Sequence, residues 1–118
     1  MECNSLNLTI RQSTLFSRTL KIEDNAGNLI DLTGYAFNSI AVLAYGQAAA
    51  SFTFVFAIQN QVTNKGEVLW TLPGARTSGL NLKEDTVYLY DVLMVQPSFE
   101  PVAIISGQII ILPVITPI

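Results

Sequence analysis

The residues able to do chemistry are few. The 118-residue chain has no histidine and one cysteine, Cys3. The commonest general base and metal ligand is therefore missing, and neither a Ser/His/Asp nor a Cys/His arrangement can be drawn. Catalysis would fall to carboxylates or a lysine. Asp24, Asp31, Asp85 and Asp91 sit beside turns or at strand starts, where solvated turn-formers belong, and their spacing carries no signature of a paired acid and base. The run Asp24-Asn25-Ala26-Gly27-Asn28 superficially resembles a calcium loop, yet it lacks the ligand spacing and terminal glutamate of an EF-hand. It reads as a hairpin turn. Cys3 lies near a chain end with no activating partner beside it and reads as an inert thiol. Arg76, in a Pro-Gly loop, is the charge to watch as a partner contact. The expectation is a chain that is not an enzyme, with no catalytic, cofactor-binding or metal-binding residues.

The elements that would position any site are short strands. Period-two alternation rich in Val, Ile, Phe, Tyr and Thr recurs between clusters of Gly, Asn, Asp and Pro, and no stretch reads as an amphipathic helix. Leu6, Leu8 and Ile10 make a first strand, and Phe16, Leu20 and Ile22 share one face of a second. After the Asp24 turn, Ile30 and Leu32 point inward, and a tight turn at Thr33-Gly34 leads into a long strand from Tyr35 to about Tyr45. The cleanest alternation is Phe52, Phe54, Phe56 and Ile58 against Ser51, Thr53, Val55 and Ala57. Val68, Trp70 and Leu72 follow, then Tyr88, Tyr90, Val92 and Met94, and finally Ile105, Ile109 and Ile111. Residues 73–80 break the pattern and suit one short helical turn. The expected core is Leu20, Ile22, Leu32, Phe54, Phe56, Trp70, Tyr88, Tyr90, Val92, Ile109 and Ile111.

Strands of this length and spacing imply an all-β, antiparallel, immunoglobulin-like β-sandwich of seven to eight strands, filling residues 1–118 as one domain. The stretch Asp85-Thr86-Val87-Tyr88-Leu89-Tyr90 looks like the start of the sixth strand of such domains, with Tyr88 either as the corner residue whose hydroxyl bonds back to upstream backbone or as an ordinary half-buried strand tyrosine. The inter-sheet disulfide is absent, because Tyr90 stands where the second cysteine would be.

Hydrophobic residues make up 50% of the chain and charged residues 13%, against roughly 25% in an ordinary soluble domain. So few charges leave part of the exterior apolar, which marks a protein contact. A net charge of −3 with no basic run argues against nucleic acid. No signal segment is read at the N-terminus, and the apolar stretch over residues 102–118 is too interrupted to span a bilayer, so no membrane partner is expected. Tyr35, Tyr45 and Trp70 are the aromatics a carbohydrate-binding module would recruit, although core packing explains Trp70 better. An inhibitor of the immunity type is a further reading, but it would not need such low surface charge.

Phe16, Leu20, Ile22, Gly27, Asp31-Leu32-Thr33-Gly34-Tyr35, Gly66, Leu72, Thr77, Leu80, Tyr88, Tyr90-Asp91 and the run from Gly107 to Thr116 together resemble a group of small tailed-bacteriophage virion proteins. That group includes the N-terminal domain of baseplate upper proteins and similar fibre-attachment modules. The order and spacing of Asp-Leu-Thr-Gly, Tyr-x-Tyr-Asp and Gly-x-Ile-x-Ile-x-Pro-Val-Ile-Thr carry the likeness. It implies a β-sandwich that docks in a virion by multivalent contact, assembled in the host cytoplasm, with itself and other virion proteins as partners and no active site to transfer. The chain is expected to be homo-oligomeric within a symmetric particle, with Arg76, Ile111, Leu112, Val114, Ile115 and Ile118 as contact residues. Because nothing follows Ile118, an adaptor in the tail or baseplate, or a capsid-decorating protein, fits better than a receptor-binding fibre.

Overall fold

The computed structural model describes residues 4–43, 51–80, 82–98 and 100–114, which form two β-sheets. The strands are β1 (Asn4–Ser5), β2 (Leu8–Arg11), β3 (Phe16–Lys21), β4 (Ala36–Val42), β5 (Phe52–Thr53), β6 (Val55–Ile58), β7 (Glu67–Leu72), β8 (Thr86–Val95) and β9 (Val102–Leu112), with one helical turn, α1 (Ala75–Ser78). The larger sheet runs β1/β2–β9–β8–β4–β5 and the smaller β3–β7–β6. The all-β expectation and the helical turn within residues 73–80 both hold.

Local chemistry explains the punctuation. The Asp24 carboxylate accepts the backbone N–H groups of Ala26 (2.9 Å) and Asn28 (3.0 Å), while Gly27 takes φ +86°, the left-handed geometry the turn needs. Asp31 caps the next turn by accepting the Thr33 hydroxyl at 2.7 Å. At Gly107 a side chain is impossible because a β-carbon there would collide with the Leu6 carbonyl. That carbonyl accepts the Tyr90 hydroxyl at 2.6 Å, which pins the N-terminal strand to the sheet.

The sheets meet on aromatic rings. Trp70 is fully buried, stacked on Tyr90 at 5.9 Å with Phe54 at 5.3 Å and Phe16 edge-on at 5.1 Å. Its indole N–H has no acceptor among the described residues. Leu32, Val68, Leu72, Val92, Met94, Ile109 and Ile111 fill the remaining interior.

Four expectations need correction. The larger sheet is not wholly antiparallel, because β1 and β2 pair parallel to β9. The alternation from Phe52 to Ile58 reads as one strand but serves both sheets, β5 beside β4 and β6 beside β7, with buried Phe54 at the crossing. The hydroxyl that bonds back to upstream backbone belongs to Tyr90 rather than Tyr88. Leu20 and Phe56 are only partly buried, packed against the core from its margin.

Candidate functional site

The outward face of the larger sheet is the surface that departs most from an ordinary exterior. Along β8, Tyr88, Tyr90, Val92 and Met94 turn inward, so Val87, Leu89, Asp91, Leu93 and Val95 turn outward. Register sets Ile40 of β4 opposite Asp91, Val42 opposite Leu89, and Ile110 of β9 opposite Val87. The result is a largely aliphatic plateau on which Ile40 and Val87 are each 45% exposed. The six strands of this sheet carry two charged residues, Asp91 and Arg11. A depression of about 610 Å³ opens on the face, lined by the aliphatic Ile40, Val42 and Leu89 and by the polar Ser5, Asn7, Asp91, Ser106 and Gln108.

The chemistry of this surface suits burial against another apolar surface. Asp91 is a lone carboxylate on it, and no group of three His, Cys, Asp or Glu able to hold a metal occurs among the described residues. Aliphatic side chains at this density lose water favourably when another protein covers them, at about 25 cal/mol per Å² of apolar area.

The residues expected from sequence are dispersed. Ile111 is fully buried in the core, so it supports the face from beneath and cannot itself touch a partner. Leu112, half-buried, continues the outward row of Ile110, and Val114 lies beyond it with its N–H on the Gln12 side-chain oxygen. Arg76 is exposed and donates to the Thr53 hydroxyl, which brings it to the β5 margin of the same face. Ile115 and Ile118 lie outside the described residues, as do Cys3 and Tyr45. Burial of Trp70 removes it as a stacking surface for sugars, and Tyr35 packs against the core.

Sequence reasoning missed two glutamines that hold the scaffold. Gln12, buried, donates to the carbonyls of Thr77 (2.9 Å) and Leu80 (2.6 Å), tying α1 to the end of β2. Thr77, wholly buried, accepts the Ser13 N–H at 2.8 Å and completes that clamp. Gln61 accepts the N–H groups of Leu32 (2.8 Å) and Gly66 (2.9 Å), bridging two loops. No local pattern distinguishes these glutamines from solvated ones.

No protein-family model matches the chain, and no curated protein matches it.

Proposed function

We propose that this chain is a non-enzymatic structural protein, an immunoglobulin-like sandwich that holds other protein chains through the outer face of its larger sheet. The observation that carries this reading is the aliphatic plateau of Val87, Leu89, Leu93, Ile40, Val42 and Ile110 on a sheet with two charged residues. Strand order supports the immunoglobulin-like assignment. Counting β1/β2 as the first strand, β9–β8–β4–β5 takes the G–F–C–C′ order and β3–β7–β6 the B–E–D order of those domains.

The setting we propose is a tailed-phage virion, in the tail or baseplate region, with capsid decoration as the alternative. This part rests on the order of motifs from Asp31-Leu32-Thr33-Gly34 to the Gly107 run. In a symmetric particle each copy binds weakly while the array binds tightly, which suits a broad, open face rich in aliphatic side chains. Imaging of intact particles tests it. Ordered density in rings about the tail axis is expected, density across the capsid lattice would favour decoration, and absence of the chain from virions would end both.

A further inference from the structure

Among the described residues the outer edge of β3 in the smaller sheet is unpaired, and the β3–β7 ladder fixes its hydrogen-bond phase. The Ile22 N–H donates to the Gly66 carbonyl at 2.7 Å, in line with the β3–β7 register. Opposed residues in an antiparallel ladder alternate between bonded and non-bonded pairs. Leu20, Arg18 and Phe16 therefore aim their backbone groups at Val68, Trp70 and Leu72, while Ser17, Thr19 and Lys21 aim theirs away from the sheet. The other side of β7 agrees: the Gln59 N–H reaches the Glu67 carbonyl at 3.1 Å, so the odd residues of β7 serve β6. Among the described residues no strand pairs with the outer edge of β3. The strand has neither a proline nor a bulge to blunt that edge.

We propose that this edge accepts an extended strand from a different protein, whose inward-facing residues run apolar, acidic, apolar at every second position. Phe16, Arg18 and Leu20 share the inward face of β3, with the two apolar side chains only partly covered. Arg18 is exposed, its guanidinium carbon 6.0 Å from the Phe16 ring centre, and it makes no ion pair among the described residues. An incoming strand sets a side chain beside each of the three: apolar against Phe16, a carboxylate against Arg18, apolar against Leu20. Past Leu20 lies a depression of about 590 Å³ with Ile22, Ile104 and Ile105 in its wall, open to the last apolar residue. Glu23 and Asp24 line that end, so the acidic residue is specified at Arg18 and disfavoured beyond Lys21.

A second copy is the wrong occupant. Pairing β3 with itself would gather Arg18 and Lys21 from both chains along one seam, with Glu67 facing Lys21 from the far side as the only acid in register. The proposal rests on the open edge alone and stands or falls independently of the larger sheet's outer face and of the virion setting.

The test uses the full chain and a fluorescein-labelled, N-acetylated peptide Thr-Val-Thr-Glu-Thr-Val-Thr, with a peptide bearing Lys in place of Glu as control. Saturable anisotropy is expected with the Glu peptide, together with slowed amide exchange at Ser17, Thr19 and Lys21. Arg18→Glu should weaken it by about tenfold or more and favour the Lys peptide instead. Thr19→Pro should also abolish binding, because the Thr19 N–H points outward and proline there removes no bond to β7. If Thr19→Pro does not fold, the Arg18→Glu charge swap decides alone. No saturable binding, equal binding of both peptides, undiminished binding to Thr19→Pro, or self-association of the chain through β3 would each overturn the proposal.

Discussion

The two sheets present opposite exteriors from similar interiors. The outward rows of the smaller sheet are Ser17, Thr19 and Lys21 on β3, Glu67, Leu69 and Thr71 on β7, and Val55 and Ala57 on β6, where hydroxyls and an opposed Lys21–Glu67 pair dilute the apolar residues. Corresponding rows of the larger sheet are aliphatic along β8 and at Ile40, Val42, Ile110 and Leu112, interrupted by Asn38, Ser106, Gln108 and a single charge, Asp91. Water can cover the first surface at little cost. The second would be stabilised by another chain covering it, so on the proposed function the difference separates what folds the molecule from what it would hold.

If that separation is right, damage to the two inner faces should be alike. Trp70 comes from the smaller sheet and Tyr90 from the larger, and they stack on each other in the buried centre. We expect Trp70→Ala and Tyr90→Ala each to lower unfolding free energy by about 3 to 5 kcal/mol, read from urea denaturation. Tyr90→Ala also frees the Leu6 carbonyl. A loss below about 1 kcal/mol for either would mean that one sheet is stabilised independently of the other.

Damage to the outer faces should differ. Leu89→Lys on the larger sheet and Leu69→Lys on the smaller alter half-buried leucines at central strand positions. The two variants should have similar melting temperatures. Leu89→Lys should weaken association with partner chains by about thirtyfold or more, the loss expected of a central contact residue, and Leu69→Lys should leave it near that of the unaltered protein. Sedimentation of the chain with its assembly partner would measure both. Equal effects would erase the distinction between the faces.

The inner face was legible because alternation survives any arrangement of sheets. Val68, Trp70 and Leu72, like Tyr88, Tyr90, Val92 and Met94, repeat every second residue, and all are buried. Legibility failed where a strand changes phase or partner. A bulge between Val92 and Leu93 in the β8–β9 register lets consecutive Ile104 and Ile105 both be buried, which alternation alone cannot express. The Phe52 to Ile58 run keeps its period while crossing between sheets, so nothing in its spacing marks the switch. The plateau did leave a signal: Val87, Leu89, Leu93 and Val95 take all the outward positions of β8 but that of Asp91, where a solvated strand would carry polar residues. The apolar chain end carries the same aliphatic signal for a different reason at Ile111, which is core.

The smallest expected effects come from titration, and they divide along the same line between interior and loops. Burial raises the Tyr88 hydroxyl above its ordinary value of 10.0. The unfolded chain therefore loses this proton first, so the stability linked to Tyr88 is complete below pH 10.0 and is lost as pH rises toward the higher folded value. On the acid side the turns between β3 and β4 report instead. Asp24 is held below its ordinary 3.8 chiefly by the Asn28 N–H, and Asp31 below 3.8 chiefly by the Thr33 hydroxyl. Their contribution is present above pH 3.8 and lost as pH falls through the lower folded values. Both carboxylates are exposed, so solvent screening keeps this limb shallow. Urea midpoints measured across pH should fall at both extremes. Tyr88→Phe should flatten the alkaline limb alone, and Asp24→Asn, which keeps the turn's acceptor oxygen but removes its charge, should flatten part of the acid limb alone. An alkaline limb that survives Tyr88→Phe would show that burial of Tyr88 is not its source, and an acid limb untouched by Asp24→Asn would leave Asp31 as the other shifted carboxylate to test.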